Sequence, residues 1–191
     1  MSHYFTNDKV RSDVRKHLVN INDIPFEFYT DNGIFSKKGL DFGTRTLLSS
    51  LENIKGDVLD FGCGYGAIGI YIKKVFECNV DMIDVNLNAL KLASYNASLN
   101  NVDVNIFKSD IYTNVSKKYD YIISNPPIRV GKEILYKILF EAYDHLKDKG
   151  ELWIVINKNQ GALSTIKALS EKYDVKVVCK NKGFFVIVSK K

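Results

Sequence analysis

The sequence has few of the features that mark secreted, membrane-bound or metal-binding proteins. Its three cysteines (Cys63, Cys78 and Cys179) are an odd number without CxxC spacing, which favours a reduced, cytoplasmic chain with buried thiols. No apolar run approaches the roughly 18 residues of a membrane span. The first residues also lack the apolar stretch of a secretory signal. The three histidines show no ligand spacing. We therefore expect a cytoplasmic protein with no metal site and no membrane partner.

The positive charge of the chain is concentrated in its last part. The whole sequence of 191 residues has a formal net charge of +5. The segment 158–191 alone holds eight lysines and two acidic residues, and so carries the whole excess. Such a patch suits a polyanionic partner such as RNA, and Lys158, Lys180 and Lys182 are the candidate contacts. A lysine-rich solvated surface is the alternative interpretation.

Short β-rich runs alternate with amphipathic helical patterns along most of the chain. This alternation predicts an α/β domain with a mostly parallel sheet covered on both faces. The predicted strands are 57–62, 78–84, 102–108, 119–125 and 151–157. The predicted helices are 41–54, 66–76, 87–100, 132–148 and 161–173. Two further β-rich runs around Asn181, Lys182 and Gly183 predict a C-terminal antiparallel hairpin.

The first 40 residues differ in pattern from the rest. We predict a short polar helix near residues 8–18, followed by a hairpin over residues 25–36. The simplest organisation is one domain, in which residues 1–40 form an N-terminal extension of the main part, 41–191.

A glycine-rich stretch, VLDFGCGYGAIG (58–69), lies where the first central strand leads into a helix. Gly62, Gly64 and Gly66 permit close backbone approach to a ligand and dihedrals that other residues avoid. The helix that follows presents free N–H groups and a positive dipole end. The stretch therefore favours an anionic group, either a pyrophosphate or an amino-acid carboxylate.

Acidic residues occur at or near the ends of three successive predicted strands. Asp84 is placed to accept hydrogen bonds from ribose hydroxyls, and Asp110 from an adenine amino group. Asp60 would repel a pyrophosphate but suits the ammonium group of a methionine moiety. Asp84 could instead be a helix cap, and Asp110 a turn residue. Together the three acids favour a pocket for an adenosine joined to an amino acid.

These motifs resemble those of a known family. The glycine-rich stretch, Asp84, Asp110 and NPPI (125–128) resemble the class I S-adenosylmethionine-dependent methyltransferases. More specifically, TDNGIFSKKGLDFGTRTLL (30–48), PPIRVGKEI (126–134) and ELWIVINKNQGA (151–162) resemble the rRNA guanine-N2 methyltransferases that act on the small ribosomal subunit. The resemblance implies a doubly wound, Rossmann-like sheet of seven strands, S-adenosylmethionine as cofactor, and rRNA or the ribosomal subunit as substrate of a monomeric enzyme.

The resemblance also implies a set of site residues. The cofactor would contact residues of the strand ends and of the stretch before them, namely Asp60, Gly62, Cys63, Gly64, Gly66, Asp84, Val85, Asp110, Ile111, Asn125 and Thr44. Phe35 would flank the cofactor or the target base, although it could equally be a core residue. Larger members carry an additional methyltransferase-like domain, so RNA docking here is expected to use the N-terminal extension or the C-terminal lysines.

The segment Asn125-Pro126-Pro127-Ile128 is the predicted catalytic element. Prolines cannot donate to a sheet ladder, so the strand ends with a polar side chain held at its tip. Asn125 Oδ1 and the Pro126 carbonyl can accept the two hydrogens of an exocyclic amine and hold its nitrogen toward a methyl donor. Ile128 can press on a base face without stacking, which tilts the resemblance toward guanine N2. The alternative is a strand terminator without chemistry.

Other functions stay open at this point. Asn-Pro-Pro also serves methyltransferases for adenine N6 and for protein glutamine amides. A nicotinamide dehydrogenase is disfavoured by Asp60 and the compact glycine stretch. A non-catalytic RNA-binding module is disfavoured because both the glycines and the Asn-Pro-Pro segment are intact.

Overall fold

A computed structural model describes residues 13–32 and 39–191 of the chain. Within these ranges strands and helices alternate as predicted, with short 3-10 turns at Ile128–Val130, Ala142–His145 and Lys158–Gln160. The strands are β1 (Arg15–Ile21), β2 (Ile24–Thr30), β3 (Asp57–Phe61), β4 (Asn79–Asp84), β5 (Asn105–Lys108), β6 (Tyr119–Ser124), β7 (Leu146–Asn157), β8 (Asp174–Asn181) and β9 (Phe184–Lys190). The helices are α1 (Phe42–Leu48), α2 (Ala67–Phe76), α3 (Leu87–Leu99), α4 (Lys132–Glu141) and α5 (Ala162–Leu169).

Seven strands form one sheet in the order β5-β4-β3-β6-β7-β9-β8. The strands from β3 to β7 are parallel, and β9 runs antiparallel between β7 and β8. The chain proceeds outward from β3 through β4 to β5 and then returns to β6 on the other side of β3. The gap between β3 and β6 is therefore the switch point at which doubly wound sheets bind ligands. The predicted fold class is confirmed.

Apolar side chains cover both faces of this sheet. Along β3, Val58 belongs to the core cluster that includes α2, α3 and the N-terminal hairpin, whereas Leu59 belongs to the cluster under α4 and α5. Both side chains are 0% exposed, because neighbouring strand residues point to opposite faces and each face has its own helical layer. In the described ranges no helix is long and apolar enough to cross a membrane.

The N-terminal hairpin differs from the prediction. Strand β1 pairs antiparallel with β2 around Asn22 and Asp23, which have φ angles of 48° and 63°. The predicted helix over 8–18 is wrong where it is described, since its last residues belong to β1; residues 8–12 lie outside the described ranges. The first strand of the hairpin predicted over 25–36 is present as β2, but it pairs with the residues before it, and the second predicted strand lies outside the described ranges. Asn and Asp tolerate left-handed dihedrals, and this gives the tight turn at 22–23.

Several predicted boundaries are also wrong. The helix predicted over 132–148 ends at Glu141, and β7 already begins at Leu146, which pairs with Tyr119. A register shift follows before Glu151 pairs with Tyr121, and Lys149 there has a φ of 64°. The helices predicted over 41–54 and 161–173 and the strand predicted over 102–108 are shorter than expected.

Candidate active site

The predicted site residues lie where the parallel strands end. Strands β3, β4 and β6 finish at Phe61, Asp84 and Ser124, so their carboxyl ends meet at one edge of the sheet. Ser124 Oγ donates a hydrogen bond of 2.8 Å to the carbonyl of Phe61 and joins β6 to β3 at this edge. The structure therefore brings the glycine-rich stretch, Asp84 and the Asn-Pro-Pro segment to one place.

Two of the three loop glycines leave space for a ligand, and the third permits packing. Gly62, Gly64 and Gly66 have φ angles of 68°, 56° and 96°, in the left-handed region that favours glycine. Among the described residues, no atom lies within 4 Å of a Cβ built on Gly62 or Gly64. A Cβ on Gly66 would lie 2.8 Å from Met82 Cε, so this glycine lets α2 approach β4. The open side of the loop thus lies at Gly62 and Gly64.

Asp84 fixes the shape of the glycine loop. Its Oδ2 accepts a hydrogen bond of 2.9 Å from the Gly64 amide, and its Oδ1 accepts one of 2.9 Å from the Asn86 amide. Asn86, rather than Asp84, caps helix α3, so the helix-cap interpretation of Asp84 is wrong. Burial raises the pKa of Asp84, although the amides of Asn86, Gly64 and Val85 oppose the rise. Each carboxylate oxygen retains a lone pair for a further donor.

Asp60 lies beneath the loop and is 0% exposed. Its Oδ2 accepts a hydrogen bond of 2.8 Å from the Gly69 amide in α2. Its Oδ1 is buried and has no hydrogen-bond partner among the described residues. Burial is the main cause that raises the pKa of Asp60 to about 7, with the nearby Asp84 carboxylate acting in the same direction. A buried acceptor without a partner fits a ligand that brings a cationic donor.

Cys63 has a structural environment. Its amide donates a hydrogen bond of 2.9 Å to the Ile83 carbonyl and ties the glycine loop to β4. The side chain is 8% exposed, and burial raises the pKa of the thiol well above its usual value. The thiol is therefore an unreactive small side chain rather than a nucleophile.

The turn after β5 holds Asp110 and Ile111. The Asp110 carbonyl accepts a hydrogen bond of 3.1 Å from the Thr113 amide, and its side chain is exposed. Ile111 has a φ of 51°, which is unusual for a β-branched residue. Its carbonyl accepts a hydrogen bond of 2.9 Å from Ser109 Oγ, which helps to hold this conformation. The turn uses the backbone of Asp110, and its carboxylate stays available to a ligand.

The Asn125 side chain is held by the beginning of helix α1. Its Nδ2 donates hydrogen bonds to Thr44 Oγ1 at 3.0 Å and to Asp41 Oδ1 at 3.4 Å. The Thr44 hydroxyl in turn donates to Asp41 Oδ2 at 2.5 Å. The Asp41 carboxylate can only accept hydrogen bonds, and the Thr44 hydroxyl already donates its proton to that carboxylate. Both groups therefore need a donor from Asn125, so the NH₂ side of its amide faces them. The Asn125 Oδ1 is consequently turned away from α1. We call Asp41, Thr44 and Asn125 the amide clamp.

The amide clamp was not predicted from the sequence. The sequence motifs indicate Thr44 only as a cofactor contact, and they give Asp41 no role as a cap. Asp41 is the N-cap of α1 and accepts a hydrogen bond of 3.0 Å from the Thr44 amide. An aspartate at the start of a predicted helix is a common N-cap residue, so Asp41 itself could have indicated the cap. Nothing in the sequence indicated that the cap also contacts Asn125.

The residues after Asn125 continue as a short turn. Pro126 is buried, Pro127 is half-buried, and residues Ile128–Val130 form a single 3-10 turn. Ile128 is half-buried and packs against the core cluster under α4 and α5. The two prolines lack the N–H groups that would extend β6, so the strand ends at Ser124.

The C-terminal lysines reach the same edge of the sheet. The Lys158 amide donates a hydrogen bond of 2.7 Å to the carbonyl of Gly183, in the turn between β8 and β9. Lys182 Nζ lies 5.1 Å from the centre of the Phe42 ring, at the start of α1. Lys180 Nζ lies 4.9 Å from the centre of the Phe185 ring, and all three lysines are exposed. The lysines at 158 and 182 thus lie beside the helix that holds Asn125.

Two further expectations from the sequence concern Phe35 and a metal site. Phe35 lies outside the described residues. In the described part of the chain, no group of three or more His, Cys, Asp or Glu side chains could hold a metal ion.

Comparison with known proteins points to one kind of enzyme. The family profile "Methyltransferase small domain" matches residues 25–188. An uncharacterized protein of Bacillus subtilis, YbxB, is 42% identical over the whole length of both chains. Ribosomal RNA small subunit methyltransferase C of Psychromonas ingrahamii is 36% identical over 76% of this chain and 43% of its own length.

A solved structure is similar over almost the whole chain. The 16S rRNA N2 methyltransferase RsmC of T. thermophilus, in complex with S-adenosylmethionine and guanosine, has a TM-score of 0.84 and 23% sequence identity. The match covers 93% of this chain and 50% of the larger one. The chain therefore spans about half the length of the named rRNA enzymes that it matches. The resemblance predicted from the sequence motifs is confirmed.

Proposed function

Because the chain belongs to the methyltransferase small-domain family, we propose that it transfers a methyl group from S-adenosylmethionine to an exocyclic amine of a nucleobase in RNA. The favoured target is guanine N2 of small-subunit rRNA, since the rRNA methyltransferase C relative covers most of this chain. The domain would comprise residues 41–191, with residues 1–40 as an extension of the same domain.

The orientation of the Asn125 amide is the observation that carries this proposal. Its NH₂ group is engaged by Thr44 and Asp41, so Oδ1 is left as an acceptor at the end of β6. The carbonyl of Pro126 follows directly and provides a second acceptor. An exocyclic amine has two hydrogens and a delocalised, weakly nucleophilic lone pair. Two fixed acceptors orient such an amine, and positioning of this kind contributes up to about 7–11 kcal/mol to a barrier.

The cofactor fits the residues at the other strand ends. Asp84 would accept hydrogen bonds from the ribose hydroxyls, and Val85, Asp110 and Ile111 would border the adenine. The open side of the loop at Gly62 and Gly64 would admit the methionine part. The buried Oδ1 of Asp60 would accept from its ammonium group.

The remaining loop and helix residues have supporting roles in this proposal. Cys63 and Gly66 would shape the loop behind the ligand, and Thr44 would act on Asn125 rather than on the cofactor. When bound, S-adenosylmethionine supplies an electrophilic methyl group on a sulfonium sulfur.

The RNA is proposed to approach across the start of α1. A base within a helix cannot reach the strand ends, so it would be flipped out of its stack. Ile128 would press on the flipped base, and Lys158, Lys180 and Lys182 would contact phosphates nearby. The enzyme is proposed to act as a monomer, and a ribosomal substrate implies the cytoplasm.

A methyl-transfer assay with defined acceptors tests the proposal. Labelled S-adenosylmethionine is offered with unmodified 16S rRNA, small subunits, DNA and total protein, and the product nucleoside is identified by mass spectrometry. We expect N2-methylguanosine in the RNA. Methylated adenine N6 or a methylated glutamine would instead establish the second candidate function, which the shared Asn-Pro-Pro segment favours. Cofactor binding without transfer to any acceptor would indicate a non-catalytic module.

Asn125→Ala is the matching test of the site. It should lower the transfer rate by on the order of 100-fold and leave cofactor affinity nearly intact. Asn105→Ala is the matched control, since Asn105 also donates its amide to a carboxylate, Asp81, but at the beginning of β5. Equal losses in the two variants would contradict the catalytic role of Asn125.

A further inference from the structure

Asn96 of helix α3 and the C-cap residue of that helix, Asn100, hold the N-terminal hairpin. Asn96 exchanges hydrogen bonds with the backbone of Tyr29: Oδ1 accepts from its amide at 2.8 Å, and Nδ2 donates to its carbonyl at 3.0 Å. Asn100 does the same with Glu27, at 3.2 and 2.7 Å. The two asparagines are one helical turn apart, and the two hairpin residues are two apart on β2. The carboxamides therefore pair with backbone groups of β2 as a neighbouring strand would.

Only one of the two asparagines also contacts the glycine loop. The Nδ2 of Asn96 donates a second hydrogen bond, of 2.8 Å, to the carbonyl of Tyr65. Asn100 Nδ2 instead makes its second bond to the carbonyl of Asn96, in its own helix. Tyr65 lies between the two loop glycines at 64 and 66, and its ring packs edge-on against Phe28 of β2 at 5.5 Å. The hairpin and the loop are thus joined through Asn96 and through this ring contact.

We propose that Asn96 is a positioning residue for the cofactor, and that the hairpin acts through it to hold the glycine loop in its binding conformation. The inference rests on the proposed use of S-adenosylmethionine. Glycines on either side of Tyr65 make the loop backbone flexible, and a fixed Tyr65 carbonyl removes part of that freedom before the ligand arrives. A loop that is already ordered in the free protein loses less conformational freedom when the ligand binds, and this strengthens binding.

The two asparagines provide a matched pair of variants. Asn96 is 0% and Asn100 5% exposed, and each exchanges two hydrogen bonds with one residue of β2. Asn96→Ala and Asn100→Ala should therefore weaken the attachment of the hairpin to a similar extent. Only Asn96→Ala also releases the Tyr65 carbonyl. A structural role alone predicts equal effects on cofactor binding, whereas a positioning role predicts unequal ones.

Calorimetry with S-adenosylmethionine and thermal unfolding of the free proteins make the test. We expect both variants to lose stability similarly, but Asn96→Ala to bind the cofactor about 10-fold more weakly and Asn100→Ala within about twofold of the unmodified protein. In turnover assays Asn96→Ala should raise KM for the cofactor and leave kcat unchanged. Equal losses of affinity in the two variants would overturn the inference.

Hydrogen exchange in the unmodified protein gives the answer if Asn96→Ala does not fold. Cofactor binding should then protect the Tyr29 amide more than the Glu27 amide, because only Tyr29 is joined to the loop through Asn96. Equal added protection at the two amides would refute the coupling. If the unmodified protein does not bind S-adenosylmethionine, the proposed function fails and the inference fails with it. If it binds and the two variants are equally affected, only the inference fails.

Discussion

Replacing Thr44 by valine is the sharpest test of the amide clamp. Valine has nearly the shape of threonine, and the site is only 5% exposed, so packing is preserved. The change removes the hydroxyl that accepts from Asn125 Nδ2 at 3.0 Å and donates to Asp41 at 2.5 Å. The longer contact of 3.4 Å between Asn125 and Asp41 is left to orient the amide alone.

The expected loss follows from the energy of one hydrogen bond. A net contribution of about 1 kcal/mol corresponds to roughly a fivefold change in population. An inverted amide would present its NH₂ to the amine of the substrate, so the fraction of molecules with Oδ1 correctly placed sets the rate. We therefore expect Thr44→Val to slow methyl transfer by up to about fivefold, much less than Asn125→Ala, with cofactor affinity within about twofold of the original.

Thr46→Val is the control for this variant. Thr46 lies in the same helix and is 5% exposed, but its hydroxyl donates to the Phe42 carbonyl at 2.8 Å and does not take part in the clamp. Single-turnover transfer at saturating cofactor gives the rate, and calorimetry gives the affinity. Unchanged transfer in Thr44→Val would refute the clamp. Weaker cofactor binding with an unchanged rate would instead place Thr44 in the cofactor pocket, as the sequence suggested.

Three further predictions concern the cofactor, the RNA and pH. Asp84→Ala should weaken S-adenosylmethionine binding by about 1.5–3 kcal/mol, as measured by calorimetry, and an unchanged affinity would exclude the ribose contact. Changing Lys158, Lys180 and Lys182 to Gln should flatten the salt dependence of RNA binding. The slope of log affinity against log salt concentration should change by about 0.7–0.9 for each lost phosphate contact, and cofactor affinity should stay the same. An identical slope would mean that these lysines are only a solvated surface. The pKa of Asp60 is raised from 3.8 to about 7. Between these two values the folded protein holds a proton that the unfolded chain has lost. The free energy of unfolding should therefore fall as the pH rises from about 4 to 7, by up to about 1.4 kcal/mol per pH unit. Asp60→Asn should flatten this fall in denaturant titrations at several pH values, and an unaltered pH profile would contradict the buried acid.

The sequence was a good guide where local pattern and function coincide. The glycine stretch and the β-rich runs were enough to place Gly62, Gly64 and Asp84 at one edge of a parallel sheet, because a doubly wound fold brings strand ends together. The same reasoning placed Asn125 at the end of β6. The positions of the proposed site residues were therefore predictable from the sequence.

Other features depend on contacts between distant segments, and local pattern could not indicate them. The N-terminal hairpin turns at Asn22 and Asp23, a pair that carries no glycine and is a weaker turn signal than the Asp-Asn-Gly sequence at 31–33. Its strand β2 is held by Asn96, which is 67 residues away along the chain. Burial of a polar carboxamide of this kind follows from tertiary packing, and it leaves no periodic signal in the sequence.

The position of β9 has a consequence for the order in which the protein can assemble during synthesis. Strand β9 follows β8 in the chain but lies inside it in the sheet, so β7 has an uncovered edge until residues 184–190 have been made. Phe184, the first residue of β9, also packs against Phe42 at the start of α1, with ring centres 5.8 Å apart. A nascent chain that stops before this strand would therefore expose a sheet edge able to pair with other chains, and it would lack the support on which the helix holding Asn125 rests. The proposed activity should thus arise in a single step, once β9 has been made, rather than grow gradually as the chain lengthens.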